Sequence, residues 1–113
     1  MTTYNLGDVV VAMVLFSNQD VAKPRPAVIV SDENYNKRKP DVIIASITSN
    51  LNADRELGEF LLTDLKSAGL KVPSRTKAFI TTIAPRVIKY KIGHFSDKDS
   101  KALQLMLGTL FAS

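Results

Sequence analysis

Cysteine and tryptophan are absent from this chain of 113 residues, and histidine occurs once, as His94. The lack of cysteine excludes disulfide bonds and metal sites built from thiolates. A single histidine excludes a histidine-rich metal centre and any acid–base mechanism that needs two imidazoles. The chain also has no apolar run long enough to cross a bilayer and no N-terminal basic segment followed by a long apolar core. We therefore expect a cytoplasmic protein that makes no contact with a membrane.

The bulk composition is that of a small basic globular protein. Apolar residues make up 45% of the chain, and a length of 113 residues suits one domain, 1–113, with a single core. The formal net charge is +4. This charge favours an anionic partner without identifying one.

Short apolar runs separated by polar turns dominate the sequence and predict a mainly β protein. We expect strands at residues 9–16, 27–30, 42–45, 59–62, 75–83 and 87–92. Thr63 is expected to cap one or two helical turns that end at Gly69, and Ser96 with Asp99 predicts the start of an amphipathic C-terminal helix. The polar and basic segment 34–40 reads as a solvated loop. Short strands without long crossover helices favour a compact antiparallel barrel over a doubly wound α/β fold.

The segment Lys23-Pro24-Arg25-Pro26-Ala27 lies where a loop is expected to meet a strand. Each proline fixes its own φ and biases the preceding residue towards an extended conformation, so Arg25 is held stiffly and ready for an anion. The segment Ile47-Thr48-Ser49-Asn50 ends the next apolar run in a similar way. Together the two segments indicate a phosphodiester ligand.

These segments belong to a longer series of motifs. In order along the chain they are Gly7-Asp8-Val9-Val10, Lys23-Pro24-Arg25-Pro26-Ala27-Val28, Asp41-Val42-Ile43-Ile44-Ala45, Ile47-Thr48-Ser49-Asn50, Gly69-Leu70, Pro73-Ser74, Thr82-Ile83 and Lys91-Ile92-Gly93. The series spans nearly the whole chain and resembles the MazF/PemK family of toxins from toxin–antitoxin systems. Each motif alone is weak, and their order at plausible spacing carries the resemblance.

The resemblance implies an SH3-like antiparallel barrel with a C-terminal helix, a fold that the gyrase poison CcdB shares, and a homodimer. It also implies a sequence-specific endoribonuclease that needs neither metal nor cofactor and cuts single-stranded messenger RNA. In such a reaction the 2′-hydroxyl attacks the phosphate, which leaves a 2′,3′-cyclic phosphate and a 5′-hydroxyl. A cognate antitoxin protein is the implied partner that blocks the site.

In that chemistry Arg25 suits the stabilisation of extra negative charge, because its planar fork can donate two hydrogen bonds to phosphate oxygens. Thr48 suits the orientation of the 2′-hydroxyl, and water or Thr48 relays protons, with Arg25 as a possible acid. Lys23, Ser49 and Asn50 are expected to support RNA binding. The plainer alternatives are a solvated or carboxylate-paired Arg25 and a Thr48 that only makes a local turn at the end of a strand.

Arg75 and Lys77 alternate along the predicted strand 75–83 and should share one face. We expect them to contact RNA phosphates, and the alternative is a solvated strand face. Some relatives carry an acid two positions after the basic residue, whereas the segment from Arg75 to Ile83 contains none. A partner acid is therefore missing or comes from elsewhere in the chain. His94 is expected to be structural.

Two other functions remain open at this point. The missing acid favours a non-enzymatic binding module on the same fold, either a gyrase-type poison or a decayed toxin that binds only its antitoxin. A general RNA-binding SH3-like domain lacks its exposed pair of stacking aromatics, because Phe16 and Phe60 read as core and only Phe79 is placed to stack a base. The loops at residues 18–22 and 50–56 would set the cleavage motif.

Overall fold

The computed structural model describes residues 3–15, 22–52 and 58–111. The elements in this part of the chain are, in order, β1 (Asp8–Val14), β2 (Lys23–Ile29), α1 (Glu33–Arg38), β3 (Val42–Thr48), α2 (Leu65–Ala68), β4 (Arg75–Ile83), a 3₁₀ turn (Pro85–Val87), β5 (Ile88–His94) and α3 (Asp97–Leu110). The predicted Phe16 and most of the loops at 18–22 and 50–56 lie outside the described residues.

The strands form one antiparallel sheet in the order β4-β3-β2-β1-β5. The prediction of a mainly β fold with a C-terminal helix is confirmed. The sheet is open, because the edge strands β4 and β5 do not pair with each other among the described residues. The predicted antiparallel barrel is therefore an open five-stranded sheet.

Both faces of the sheet are apolar, which explains why the strands read as nearly continuous apolar runs. One face carries Val9 and Val28 under Leu103 and Met106 of α3. The other face carries a second cluster of buried side chains, namely Val10, Ala12, Val14, Ala27, Ile29, Val42, Ile44 and Ile88. Phe60 packs against the first cluster, and its ring meets that of Phe95 edge to face with centroids 6.4 Å apart.

The segment at 34–40 is not the predicted loop, because most of it lies in α1. Asp32 caps the helix by accepting a hydrogen bond of 2.8 Å from the Asn34 N–H, and Lys37 pairs with Glu33 at 3.1 Å. No residue of α1 is buried. The helix therefore has no apolar face, and the periodicity that would have predicted it does not exist.

The segment at 59–62 is not a regular strand. Leu61 forms a single bridge with Arg75, and flanking backbone hydrogen bonds of 2.9 and 3.0 Å hold the segment along the outer edge of β4. Helix α2 is capped by Asp64, one residue later than predicted, and it ends as predicted at Gly69, whose φ is +75°.

Helix α3 begins as predicted, with Ser96 accepting a hydrogen bond from the Asp99 N–H. The Asp99 carboxylate is buried and accepts from the N–H groups of Thr63 and Asp64 at 3.0 to 3.1 Å. Within the described residues, no helix has the length and apolar character needed to span a membrane.

Candidate functional site

Backbone hydrogen bonds of β2 alternate between its two neighbours. The Ile29 carbonyl accepts from the Gly7 N–H on the β1 side, and the Val30 N–H donates to the Ile43 carbonyl on the β3 side, each at 2.9 Å. Odd-numbered residues of β2 therefore direct their backbone groups towards β1, and even-numbered residues direct theirs towards β3.

This alternation explains where the two prolines of β2 are tolerated. Pro24 and Pro26 are even-numbered, so their missing N–H groups fall on the β3 side. The ladder to β1 continues through both prolines to Lys23, whereas the ladder to β3 stops at Ala27. The segment expected to be the end of a loop is thus a strand paired on one side. Arg25 is held by this strand at the point where β2 and β3 stop pairing.

The strand register brings three of the predicted site residues into one row. Thr48 pairs with Arg75 across β3 and β4. Ala27 and Ser46 are the last pair of β2 with β3, and the same register carried two residues further puts Arg25 and Thr48 on the same face of the sheet. Side chains at opposed positions project from the same face of a sheet. We call Arg25, Thr48 and Arg75 the polar row.

The hydroxyl of Thr48 makes the local turn that the sequence left open as an alternative. Its oxygen accepts a hydrogen bond of 3.0 Å from the Asn50 N–H, and the Asn50 side chain accepts one of 3.2 Å from the Asn52 N–H. A hydroxyl that accepts a hydrogen bond keeps its own proton to donate. Ser49 and Asn50 are exposed beside it. The turn therefore orients Thr48 and leaves its O–H able to bind a phosphate or ribose oxygen.

Arg75 is not solvated as the plainer alternative expected, because its side chain is only 3% exposed. It lies 3.9 Å from the carboxylate of Glu59, whose side chain is 1% exposed. The acid that the strand 75–83 lacks is therefore supplied by the segment that borders β4. Burial also leaves Arg75 little surface for direct contact with RNA.

Sequence reasoning did not identify Glu59, although a signal for it exists. Glu59 is an acid within the apolar run Glu59-Phe60-Leu61-Leu62, where a charge is unexpected unless it is paired. Its second carboxylate oxygen accepts a hydrogen bond of 2.7 Å from the Ala78 N–H. This bond falls where the register between β3 and β4 shifts.

The two predicted lysines lie in different settings. Lys23 is exposed at the first position of β2, opposite Val14. Lys77 is half-buried in the irregular part of β4, two residues after Arg75. Both lie on the strands that carry the polar row, and Lys23 has the greater access to solvent.

His94 belongs to a separate cluster around Asp8. Its Nδ1 lies 2.8 Å from the buried Asp8 carboxylate, which also pairs with Lys91 at 3.1 Å and accepts from the Asn5 N–H at 2.9 Å. Burial raises the pKa of Asp8, but the hydrogen bonds from Asn5, His94 and Lys91 outweigh it and hold the pKa below its ordinary value of 3.8. This cluster ties β1 to β5 and is not part of the polar row.

The basic run at 37–39 also lies apart from the row. It lines a surface cleft of about 480 Å³ together with Tyr4 and Pro85. Helix α1 joins the end of β2 to the start of β3, so the cleft lies at the opposite end of the sheet from Thr48. Among the described residues, no three His, Asp or Glu side chains are grouped closely enough to hold a metal ion.

Comparison with protein families matches residues 5–111 to the family of PemK-like, MazF-like toxins of type II toxin-antitoxin systems. Comparison with curated proteins gives no significant match.

Several solved structures share the fold. MazF (Form-I) from Deinococcus radiodurans aligns over 100% of both chains with a TM-score of 0.74 and 18% identity. The Mycobacterium tuberculosis toxin MazF-mt6 aligns over 92% of this chain and 95% of its own, with a TM-score of 0.72 and 23% identity. An endoribonuclease in complex with its cognate antitoxin, from a mycobacterial species, aligns over 96% of this chain and 93% of its own, with a TM-score of 0.71 and 16% identity.

Proposed function

We propose that this chain, which belongs to the family of PemK-like, MazF-like toxins of type II toxin-antitoxin systems, is a metal-independent endoribonuclease that cuts single-stranded messenger RNA in the cytoplasm. The observation that carries the proposal is the polar row. An arginine and a hydroxyl on the same face of two neighbouring strands, just beyond the last residues through which those strands pair, form a site suited to a phosphodiester. Similar folds are described as endoribonucleases in mycobacterial species.

The reaction needs no group beyond the RNA and the side chains of such a site. The ribose 2′-oxygen attacks the adjacent phosphorus, the bond from phosphorus to the 5′-oxygen breaks, and a 2′,3′-cyclic phosphate and a 5′-hydroxyl result. Arg25 stabilises the charge that builds on the non-bridging oxygens, which is worth roughly 10²–10³ in rate for one well-placed donor. Thr48 orients the attacking hydroxyl. Water or Thr48 carries the proton from the 2′-oxygen, and Arg25 or water supplies the proton that the 5′-oxygen gains.

The remaining predicted residues support binding of the RNA. Lys23, Ser49 and Asn50 are exposed near the row and would contact phosphates or bases. Lys77 adds positive charge from β4, whereas Arg75 contributes from its buried position across from Thr48.

The partners of the toxin are proposed in the same way. MazE–MazF complexes from Deinococcus radiodurans and the mycobacterial complex show antitoxins bound to proteins of this fold. A chain of net charge +4 suits an acidic antitoxin that covers the RNA site. We also propose a homodimer, and sedimentation equilibrium of the purified protein tests this by giving its mass.

The experiment that tests the function is cleavage of a long single-stranded RNA in EDTA, with the new 5′ ends located by sequencing. The wild-type protein should cut at discrete sites. Arg25→Ala should lose most of the activity while its far-UV circular dichroism stays unchanged. The matched control is Arg38→Ala, which removes an exposed arginine of α1, at the opposite end of the sheet from Thr48, and should cut like the wild type.

The missing acid of β4 mildly favours the non-enzymatic alternative, and the approach of Glu59 to Arg75 weakens that argument. One experimental result would establish this alternative. Double-strand breaks in DNA when gyrase is present, together with no RNA cleavage by the wild-type protein, would establish it.

A further inference from the structure

Glu59 joins two parts of β4 through its two carboxylate oxygens. One oxygen lies 3.9 Å from the Arg75 guanidinium, and the other accepts a hydrogen bond of 2.7 Å from the Ala78 N–H. The contact with Arg75 joins opposite charges, and the contact with Ala78 holds the backbone where the strand register shifts. A single side chain thus fixes the start of β4 relative to its irregular middle.

Burial of the Glu59 and Arg75 charges costs free energy of solvation. The side chains of Glu59 and Arg75 are 1% and 3% exposed. A carboxylate removed from water needs charged or N–H partners, and an apolar residue of similar volume would fill the same space without that need. Packing alone therefore does not explain why this buried position holds a charged pair.

The strand register supplies a reason. Arg75 pairs directly with Thr48, the residue that orients the attacking hydroxyl in the proposed reaction. Because opposed side chains on neighbouring strands are in reach of each other, the placement of the guanidinium sets the electrostatic surroundings of the Thr48 hydroxyl.

We propose that Glu59 is a positioning residue for RNA cleavage, which acts by holding Arg75 in place beside Thr48 on the neighbouring strand. The inference rests on the proposed function. Glu59 itself is too deeply buried to contact the RNA, so its effect passes through Arg75.

The test compares Glu59→Gln, Arg75→Gln and the double variant on a short RNA that contains one mapped cleavage site. Glu59→Gln keeps the side-chain volume and an oxygen that can accept from the Ala78 N–H, and it replaces the charge and the oxygen that faces Arg75 with an NH2 group. We expect kcat to fall about 10- to 100-fold with KM within about twofold, which is the scale of a small misplacement in an active site. Glu33→Gln removes an exposed carboxylate on α1 and should leave both constants unchanged.

The double variant separates positioning from a structural role. If Glu59 acts through Arg75, Glu59→Gln should lower kcat no further in the Arg75→Gln background. A structural role would lower the melting temperature and leave kcat per folded molecule unchanged. The double variant contains no lone buried charge, so it keeps the test valid even if Glu59→Gln alone fails to fold.

The outcomes distinguish the two proposals. An active wild type with unchanged or raised kcat in folded Glu59→Gln overturns the positioning role alone, and a rise would mean that Glu59 only neutralises Arg75. A double variant with lower kcat than Arg75→Gln also overturns it. A wild type that cuts no RNA overturns both proposals.

Discussion

At the scale of single residues, the oxygen and the proton of the Thr48 hydroxyl have different roles. Its oxygen accepts from the Asn50 N–H, and its proton remains for a ligand. A hydroxyl is therefore required for the proposed chemistry, whereas the methyl group of threonine is not.

We expect Thr48→Val to lower kcat for RNA cleavage by about 10²-fold, because the variant keeps the shape of the side chain and loses its donor. Thr48→Ser should stay within about tenfold of the wild type, since it keeps the donor. Rapid-mixing assays at saturating RNA measure both. Equal activity of Thr48→Val and the wild type would remove Thr48 from the mechanism.

Asp8 predicts a dependence of stability on pH. Its pKa is lower in the folded protein than its ordinary value of 3.8, so the unfolded chain takes up a proton first as the pH falls. The stabilisation is fully present above that value and is lost as the pH falls through the folded pKa. Urea unfolding at a series of pH values should show this loss.

The control for this prediction is Asp8→Asn, which cannot ionise. Its free energy of unfolding should vary less with pH over the same acidic window, and the gap to the wild type should narrow towards low pH. Parallel curves for the two proteins would show that other carboxylates account for the acid sensitivity.

At the scale of elements, two glycines allow α2 to lie against β5. A Cβ atom on Gly93 would come within 2.4 Å of the Ala68 backbone, and one on Gly69 would come within 2.0 Å of the Ile92 carbonyl oxygen. Backbone atoms cannot move aside as a flexible side chain can. The glycines are thus required by close approach of the two elements.

We expect Gly93→Ala to destabilise the protein by about 1–3 kcal/mol, the usual cost of forcing an extra carbon into a packed site. Gly108→Ala is the matched control, because a Cβ there meets nothing within 4 Å. That change in an exposed helix should stabilise the protein by up to about 1 kcal/mol. Thermal unfolding should show a lower melting temperature for Gly93→Ala and a higher one for Gly108→Ala.

The elements also show what local sequence could predict. Strands β1 and β3 were predictable because both of their faces are apolar, and α3 was predictable from its cap and its apolar stripe. Helix α1 was not, because its few residues are all polar or solvent-facing. The pairing of Glu59 with Arg75 joins segments 16 residues apart in sequence through a buried contact, which no local pattern encodes.

At the scale of the whole molecule, the net charge of +4 predicts a strong effect of salt on RNA binding. Each phosphate neutralised should contribute about 0.7 to the slope of log affinity against log salt concentration. Lys23→Ala should reduce that slope by about 0.7 and leave kcat at saturating RNA nearly unchanged. Fluorescence anisotropy with a labelled single strand measures the slope, and Arg38→Ala, on α1 at the opposite end of the sheet, should leave the slope as it is in the wild type.

The prolines of β2 have a consequence for how the site meets its ligand. Because Pro24 and Pro26 have no N–H groups to donate on the β3 side, β2 does not pair with β3 beyond Ala27. The two strands therefore form a fork. If RNA is the ligand, as proposed, it would have no pairing between these two strands to displace. In the proposed reaction, the free energy of binding would then be available for orientation of the phosphate.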